Sequence, residues 1–206
     1  MKMKIATVAA FGVLASSCAT MMSDEQADAK ALATMKASFK EHGQAKLDRL
    51  DQDEMQKLCS HYVGGKTLPK DAAERVEKAQ QALIKYPADG KYLGDWKQGE
   101  RIAQSGAGKQ FNDDPAVPSG ANCYACHQLS KAELSFGTIG PSLYNFGKLR
   151  GFTPEMQKYA YSKVYNSQAF AACSNMPRFG HNAILTEKQI KDVVALLMDP
   201  ESPVNK

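Results

Sequence analysis

An all-α fold with long loops is what the sequence predicts, and three observations carry the prediction. Apolar residues recur at three- and four-residue spacings in several segments, as one face of a helix requires. Capping residues frame those segments, and Gly- and Pro-containing stretches separate them. No stretch alternates apolar and polar residues convincingly enough to read as a strand. The 206 residues, 43% apolar and 23% charged, suffice for one ordinary globular domain plus extra elements. A net charge of +4, from 26 basic and 22 acidic residues, is too mild for a nucleic-acid-binding face, so no nucleic-acid partner is expected.

The elements follow in order. Lys2 and Lys4, an apolar run from Ile5 to Ala15 and then small residues make up a secretory signal, assigned to residues 1–19. That run is too short to span a membrane, and the protein is expected in the periplasm. "LASSC" ending at Cys18 resembles a lipobox, with Ala15 where leucine is usual. A cut before Cys18 would give a lipid-anchored protein, and ordinary cleavage after Ser17 or Ala19 fits the small residues as well. Residues 20–90 read as a helical N-terminal extension. Leu32, Met35 and Phe39 share one face, Leu47, Leu50 and Leu58 continue a stripe, and "GGKTLPK" at 64–70 breaks the chain. A helix over 71–86 then places Val76, Ala79 and Leu83 together, and "PADG" ends it.

Residues 91–206 form the second region. A helix capped by Asp95 stops near Gly106, with Trp96 and Ile102 on its apolar side. Thr153 and Pro154 start another. Thr186 and Gln189 make a capping box for the last, whose buried stripe is Ile190, Val193, Val194 and Leu197. Residues 128–152 and 166–185 are expected to be irregular. Loops that long need a reason in a compact domain, and a large prosthetic group supplies one.

The motif Cys123-Tyr-Ala-Cys126-His127 identifies that group. Zinc needs four ligands, yet no second ligand pair exists and His42, His61 and His181 stand alone. A thiol redox pair needs a βαβ setting, which is absent. One covalently bound haem uses all three residues: two thiols add to the two vinyl groups, and the histidine supplies an axial nitrogen. Chance gives this pattern about 0.002 times per chain of this composition. The second axial ligand decides between an electron carrier and an open, reactive iron. Met176, in the irregular "CSNMPRFG", is the leading candidate; His181 competes, a core role for Met176 stays open, and Met156 and Met198 lie in helices. With Cys123 and Cys126 used by haem and Cys18 in the signal, Cys59 and Cys173 remain, and an oxidising compartment favours their disulfide. Lys131, Lys148, Arg150 and Arg178 near the haem segments fit two readings equally, cations that steer an acidic partner or scattered solvated charge.

Residues 91–199, with an N-terminal helix, CxxCH, "GPSL" at 140–143, a middle helix, a Met–Pro loop and a closing helix, resemble a class I cytochrome c. The resemblance implies that the carbonyl of Pro141 accepts Nδ1–H of His127. "NMPRFG", "LTEKQI" and "DPESPV" are most similar to the SoxX family, the monohaem subunits of SoxAX cytochromes. That resemblance covers residues 91–206 well, and residues 24–90 less closely. It implies a heterodimer with a SoxA-type cytochrome, which conjugates thiosulfate to a cysteine of the SoxYZ carrier. This chain would then be the non-catalytic electron-transfer subunit of that cysteine S-thiosulfotransferase, passing electrons to a soluble cytochrome c. A free-standing periplasmic carrier without a dedicated partner is the alternative.

Overall fold

The computed structural model describes residues 22–63 and 66–206. The expected signal segment 1–19 with Cys18, and Gly64 and Gly65 of the expected break, lie outside the described residues. The chain divides into two units, Met1–Phe39 and Lys40–Lys206. In the first, helix α1 runs from Asp24 to Ser38. Its start is a capping box: Ser23 Oγ accepts from the Gln26 amide at 3.2 Å, and Gln26 Oε1 from the Ser23 amide at 3.1 Å. No residue of α1 is buried, so the expected apolar face of Leu32, Met35 and Phe39 is exposed.

In the second unit, Leu47–Leu50 is a single 3₁₀ turn rather than part of a long helix. Helix α2 (Glu54–His61) starts at a second capping box, made by Asp53 and Gln56. Helix α3 (Lys70–Ala82) ends four residues before the expected Tyr86. Its buried side is Ala72, Val76 and Gln80, not Val76, Ala79 and Leu83. The reason is polar: Gln80 Oε1 accepts from Asn166 Nδ2 at 2.9 Å, which turns a glutamine inward and leaves Leu83 outside.

Helices α4 (Trp96–Gln104), α5 (Phe146–Arg150), α6 (Pro154–Tyr165) and α7 (Glu187–Met198) complete the fold. The caps of α4, α6 and α7 form as expected: Asp95 accepts from the Lys97 amide at 2.9 Å, Thr153 from Met156 at 3.3 Å, and Thr186 from Gln189 at 3.2 Å. Helix α5 was not expected within 128–152. Apart from one isolated bridge between His42 and Ala45, no strand occurs among the described residues. Among those residues no helix is long and apolar enough to cross a membrane.

The principal pairing is α4 against α7. A side chain at Gly99 would collide with the backbone of Asp192, so glycine sets how closely the two helices approach. Asp192 is buried at this crossing, where it accepts from the Asp95 amide at 2.8 Å and pairs with Lys188 at 2.8 Å. Ile190, Val193, Val194 and Leu197 are buried as expected, with Leu129, Tyr161 and Val204 in the same core. Full burial of each aliphatic side chain contributes roughly 1.5–3 kcal/mol.

Candidate haem-binding site

The motif is a single 3₁₀ turn, Cys123–Ala125, lying beside α4. Residues 120–122 run along the end of α4, with the Ala121 amide donating to Ile102 at 2.9 Å and the Asn122 amide to Ser105 at 2.8 Å. Asn122 takes the left-handed conformation (φ 45°), which asparagine tolerates better than most residues, and turns the chain into the motif. The amides of Cys126 and His127 both donate to the Cys123 carbonyl, at 3.1 and 2.9 Å, closing the turn. Tyr124 points inward and donates to Glu100 Oε1 at 2.9 Å, which ties the motif to α4.

The following loop folds back over the turn. The Gly137 amide donates to Tyr124 at 2.8 Å, Gly140 to Cys126 at 2.9 Å and Leu143 to Gln128 at 2.8 Å. A Cβ at Gly140 would fall within the imidazole of His127, so only glycine admits the ring there. His127 Nδ1 lies 2.7 Å from the Pro141 carbonyl. A carbonyl only accepts, so Nδ1 carries the proton and Nε2 keeps its lone pair free for a metal.

These residues line a cavity of about 600 Å³, within the range of small-molecule and cofactor pockets. Cys123, Cys126, His127, Pro141 and Met176 all border it, brought together from three stretches of chain. Most of the remaining wall is apolar, with Leu129 from the loop after the motif, Phe146 of α5, Val164 of α6 and Leu197 of α7, while Arg150 and Lys163 also border it. His181 is not among the lining residues; its ring is held beside Arg178 and Asp53. Met198 is buried in the core, and Met156 packs on that core without bordering the cavity.

A large apolar chamber with two thiols and one oriented imidazole on its wall fits haem. Burial in this apolar wall pushes the Cys123 thiol up to about 12.

Met176 lies in a loop that its own neighbours shape. Ser167 Oγ donates to the Met176 carbonyl at 2.5 Å, and the Met176 amide to Ser174 Oγ at 3.2 Å. Gln168 and Ser174 exchange two further bonds, at 2.7 and 3.1 Å. Cys173 is joined to Cys59, with the two Cα atoms 5.4 Å apart. Of the four cations expected at the surface, Lys131, Lys148 and Arg150 are exposed, and Arg150 borders the cavity. Arg178 is a correction: its side chain is 7% exposed and pairs with Asp53 at 2.8 Å, so it is an internal strut. Nothing local to "MPRFG" signals this, because the partner carboxylate lies far away in sequence.

The sequence profile of the cytochrome c family matches residues 106–199, the stretch that holds the motif, the Pro141 loop and the Met176 loop. A protein of Aquifex aeolicus (strain VF5), described as an uncharacterized lipoprotein, is 38% identical over 200 residues. The match covers 95% of this chain and 94% of that one. With a matching profile over the cavity-forming segments, the chain carries a domain of the cytochrome c family at residues 106–199, a family whose members bind haem c covalently and transfer electrons.

Proposed function

We propose that this chain is an exported monohaem electron-transfer cytochrome, the SoxX-like subunit that takes electrons from a SoxA-type partner during thiosulfate conjugation to SoxYZ. The observation that carries the electron-transfer part is the convergence of Cys123, Cys126, His127, Pro141 and Met176 on one apolar cavity. Haem, once bound, supplies reversible one-electron exchange at its iron. The chain's residues do the rest. Cys123 and Cys126 hold the macrocycle by two thioethers. His127 presents Nε2 to the iron, and the Pro141 carbonyl keeps the ring in that tautomer and raises its basicity. Met176 offers a soft thioether, which favours the ferrous state and raises the potential. Leu129, Phe146, Val164 and Leu197 exclude water from the site. With His127 and Met176 both given to the iron, the site would pass electrons and offer no iron position to a substrate.

Export and anchoring rest on the basic, apolar and small-residue order of residues 1–19 and on Cys18. The Aquifex relative's description as a lipoprotein supports the reading in which Cys18 is lipidated. The SoxA-type partner rests on the motif resemblance of "NMPRFG", "LTEKQI" and "DPESPV", and the exposed cations Lys131, Lys148 and Arg150 are available to an acidic partner.

Two experiments test the proposal. Reduced holoprotein is expected to be six-coordinate and to exclude carbon monoxide, and Met176→Ala to bind it; a variant still closed to carbon monoxide removes Met176 from the iron. Mixed with a SoxA-type subunit, the holoprotein should co-elute on gel filtration and become reduced when thiosulfate and SoxYZ are added. Separate elution without reduction leaves a free-standing carrier.

A further inference from the structure

The loop that carries Met176 is held from outside by α2 with its cap Asp53 and by α3, none of whose residues lines the cavity. Four ties make the attachment. Cys173, three residues before Met176, is bonded to Cys59 on α2. The Ala172 amide donates to Glu77 Oε1 at 3.1 Å, and Gln81 Nε2 to the Ala169 carbonyl at 2.8 Å, both from α3. Arg178, two residues after Met176, pairs with Asp53 at 2.8 Å and reaches Gln80 Oε1 at 3.4 Å. Met176 is therefore bracketed: a covalent link on one side, and on the other a buried guanidinium paired with an exposed carboxylate.

Each bracket has a physical reason to be stiff. Arg178 is always charged and is buried, so leaving it without its carboxylate is strongly unfavourable and the chain around it would rearrange. Cys173 has a left-handed backbone (φ 61°), a conformation a cysteine keeps only where its surroundings impose it. Inside the brackets the loop is held by short-range bonds of Ser167, Gln168 and Ser174, and the Ser174 amide also donates to the Ala171 carbonyl at 3.2 Å. A thioether is a weak ligand donor compared with an imidazole or thiolate, so its grip depends on how well the chain holds it in place.

We propose that the Cys59–Cys173 disulfide and the Asp53–Arg178 ion pair are positioning groups for the Met176 thioether, so that α2 and α3 govern how firmly the sixth iron position is closed. The proposal rests on Met176 as an iron ligand. Neither group touches the iron; both act through the loop.

The test uses haem-loaded full-length protein. Asp53→Asn removes the charge and keeps a good N-cap for α2, and Arg178→Gln removes the other partner. The readouts are the carbon monoxide association rate of the ferrous protein and the thioether–iron charge-transfer band of the ferric protein. Both variants are expected to speed association at least tenfold and weaken the band, with Arg178→Lys recovering part of the loss. Arg75→Gln, which breaks the exposed Asp71–Arg75 pair on α3, should change neither. Should a variant not fold, unmutated holoprotein treated with a phosphine serves instead: the phosphine takes up oxygen from water as its oxide, and the disulfide becomes two thiols. Association should again accelerate. Rates and bands equal to the untreated protein in the folded variants and in the phosphine-treated protein overturn the proposal, provided Met176→Ala opens the site. A Met176→Ala protein that stays closed overturns the ligand assignment instead.

Discussion

Gly140 leaves no space for a methyl group, because that space is the His127 ring. Gly140→Ala is expected to cost about 1–3 kcal/mol by overpacking and to pull His127 away from Pro141. Thermal unfolding and the spin state of the loaded protein would register it; an unshifted midpoint with a low-spin spectrum would disprove the contact. The motif was legible because the macrocycle dictates its spacing locally. Gly140 was not, since its constraint comes from a ring in another turn, and Arg178 was misread as a surface cation because Asp53 is remote. Asp53 also carries a pH signature. Partial burial pushes its carboxyl up, but the Gln56 amide and the Arg178 guanidinium outweigh this and hold it below the usual value. A depressed carboxylate stabilises the fold fully above the unfolded value of about 3.9, and the contribution is lost as pH falls through the lower folded value. The stability gap between the native protein and Asp53→Asn should therefore persist down to about pH 5, widening where the neighbouring His181 gains its charge, and close at lower pH; urea midpoints across that range check this.

Helices whose caps lie in their own sequence were legible, and α5 shows why one was not. Asn145 before it makes no side-chain cap. Asn205 caps it from the far end of the chain, its Oδ1 accepting from the Gly147 and Lys148 amides at 3.0 and 3.3 Å. The Nδ2 of the same side chain donates to the Leu197 and Asp199 carbonyls, at 3.0 and 2.9 Å, ending α7. One buried amide thus joins the start of a helix on the cavity wall to the end of the last helix. Asn205→Ala leaves donors and acceptors unpaired at both ends and is expected to cost about 2–3 kcal/mol, read by denaturant unfolding. Loss of α5 order should also loosen Phe146 on the cavity wall, lowering haem retention of the folded variant. The α3 stripe failed for a related reason: apolarity alone selects Leu83, whereas the bonds of Gln80 select the opposite side.

At the scale of the whole molecule, residues 40–90 cluster with the cytochrome region in one unit, although composition alone marks them as an extension. The disulfide closing a separation of 114 residues is one reason they do. Replacing both cysteines by serine should lower stability by about 2–5 kcal/mol, measured by unfolding of loaded protein in guanidinium. The all-α class was readable from periodicity; the way the segments brace one another depends on contacts remote in sequence, which periodicity does not encode. Under the export proposed above, the same disulfide constrains the protein's maturation. A chain emerging N-terminus first into an oxidising compartment offers Cys59, then Cys123 and Cys126, and only afterwards Cys173. With Cys18 cut away or lipidated, the first partners that Cys59 meets are thus the two wrong ones, so correct pairing requires that the motif thiols be taken by haem first, or that an isomerase undo what oxidation joins too early.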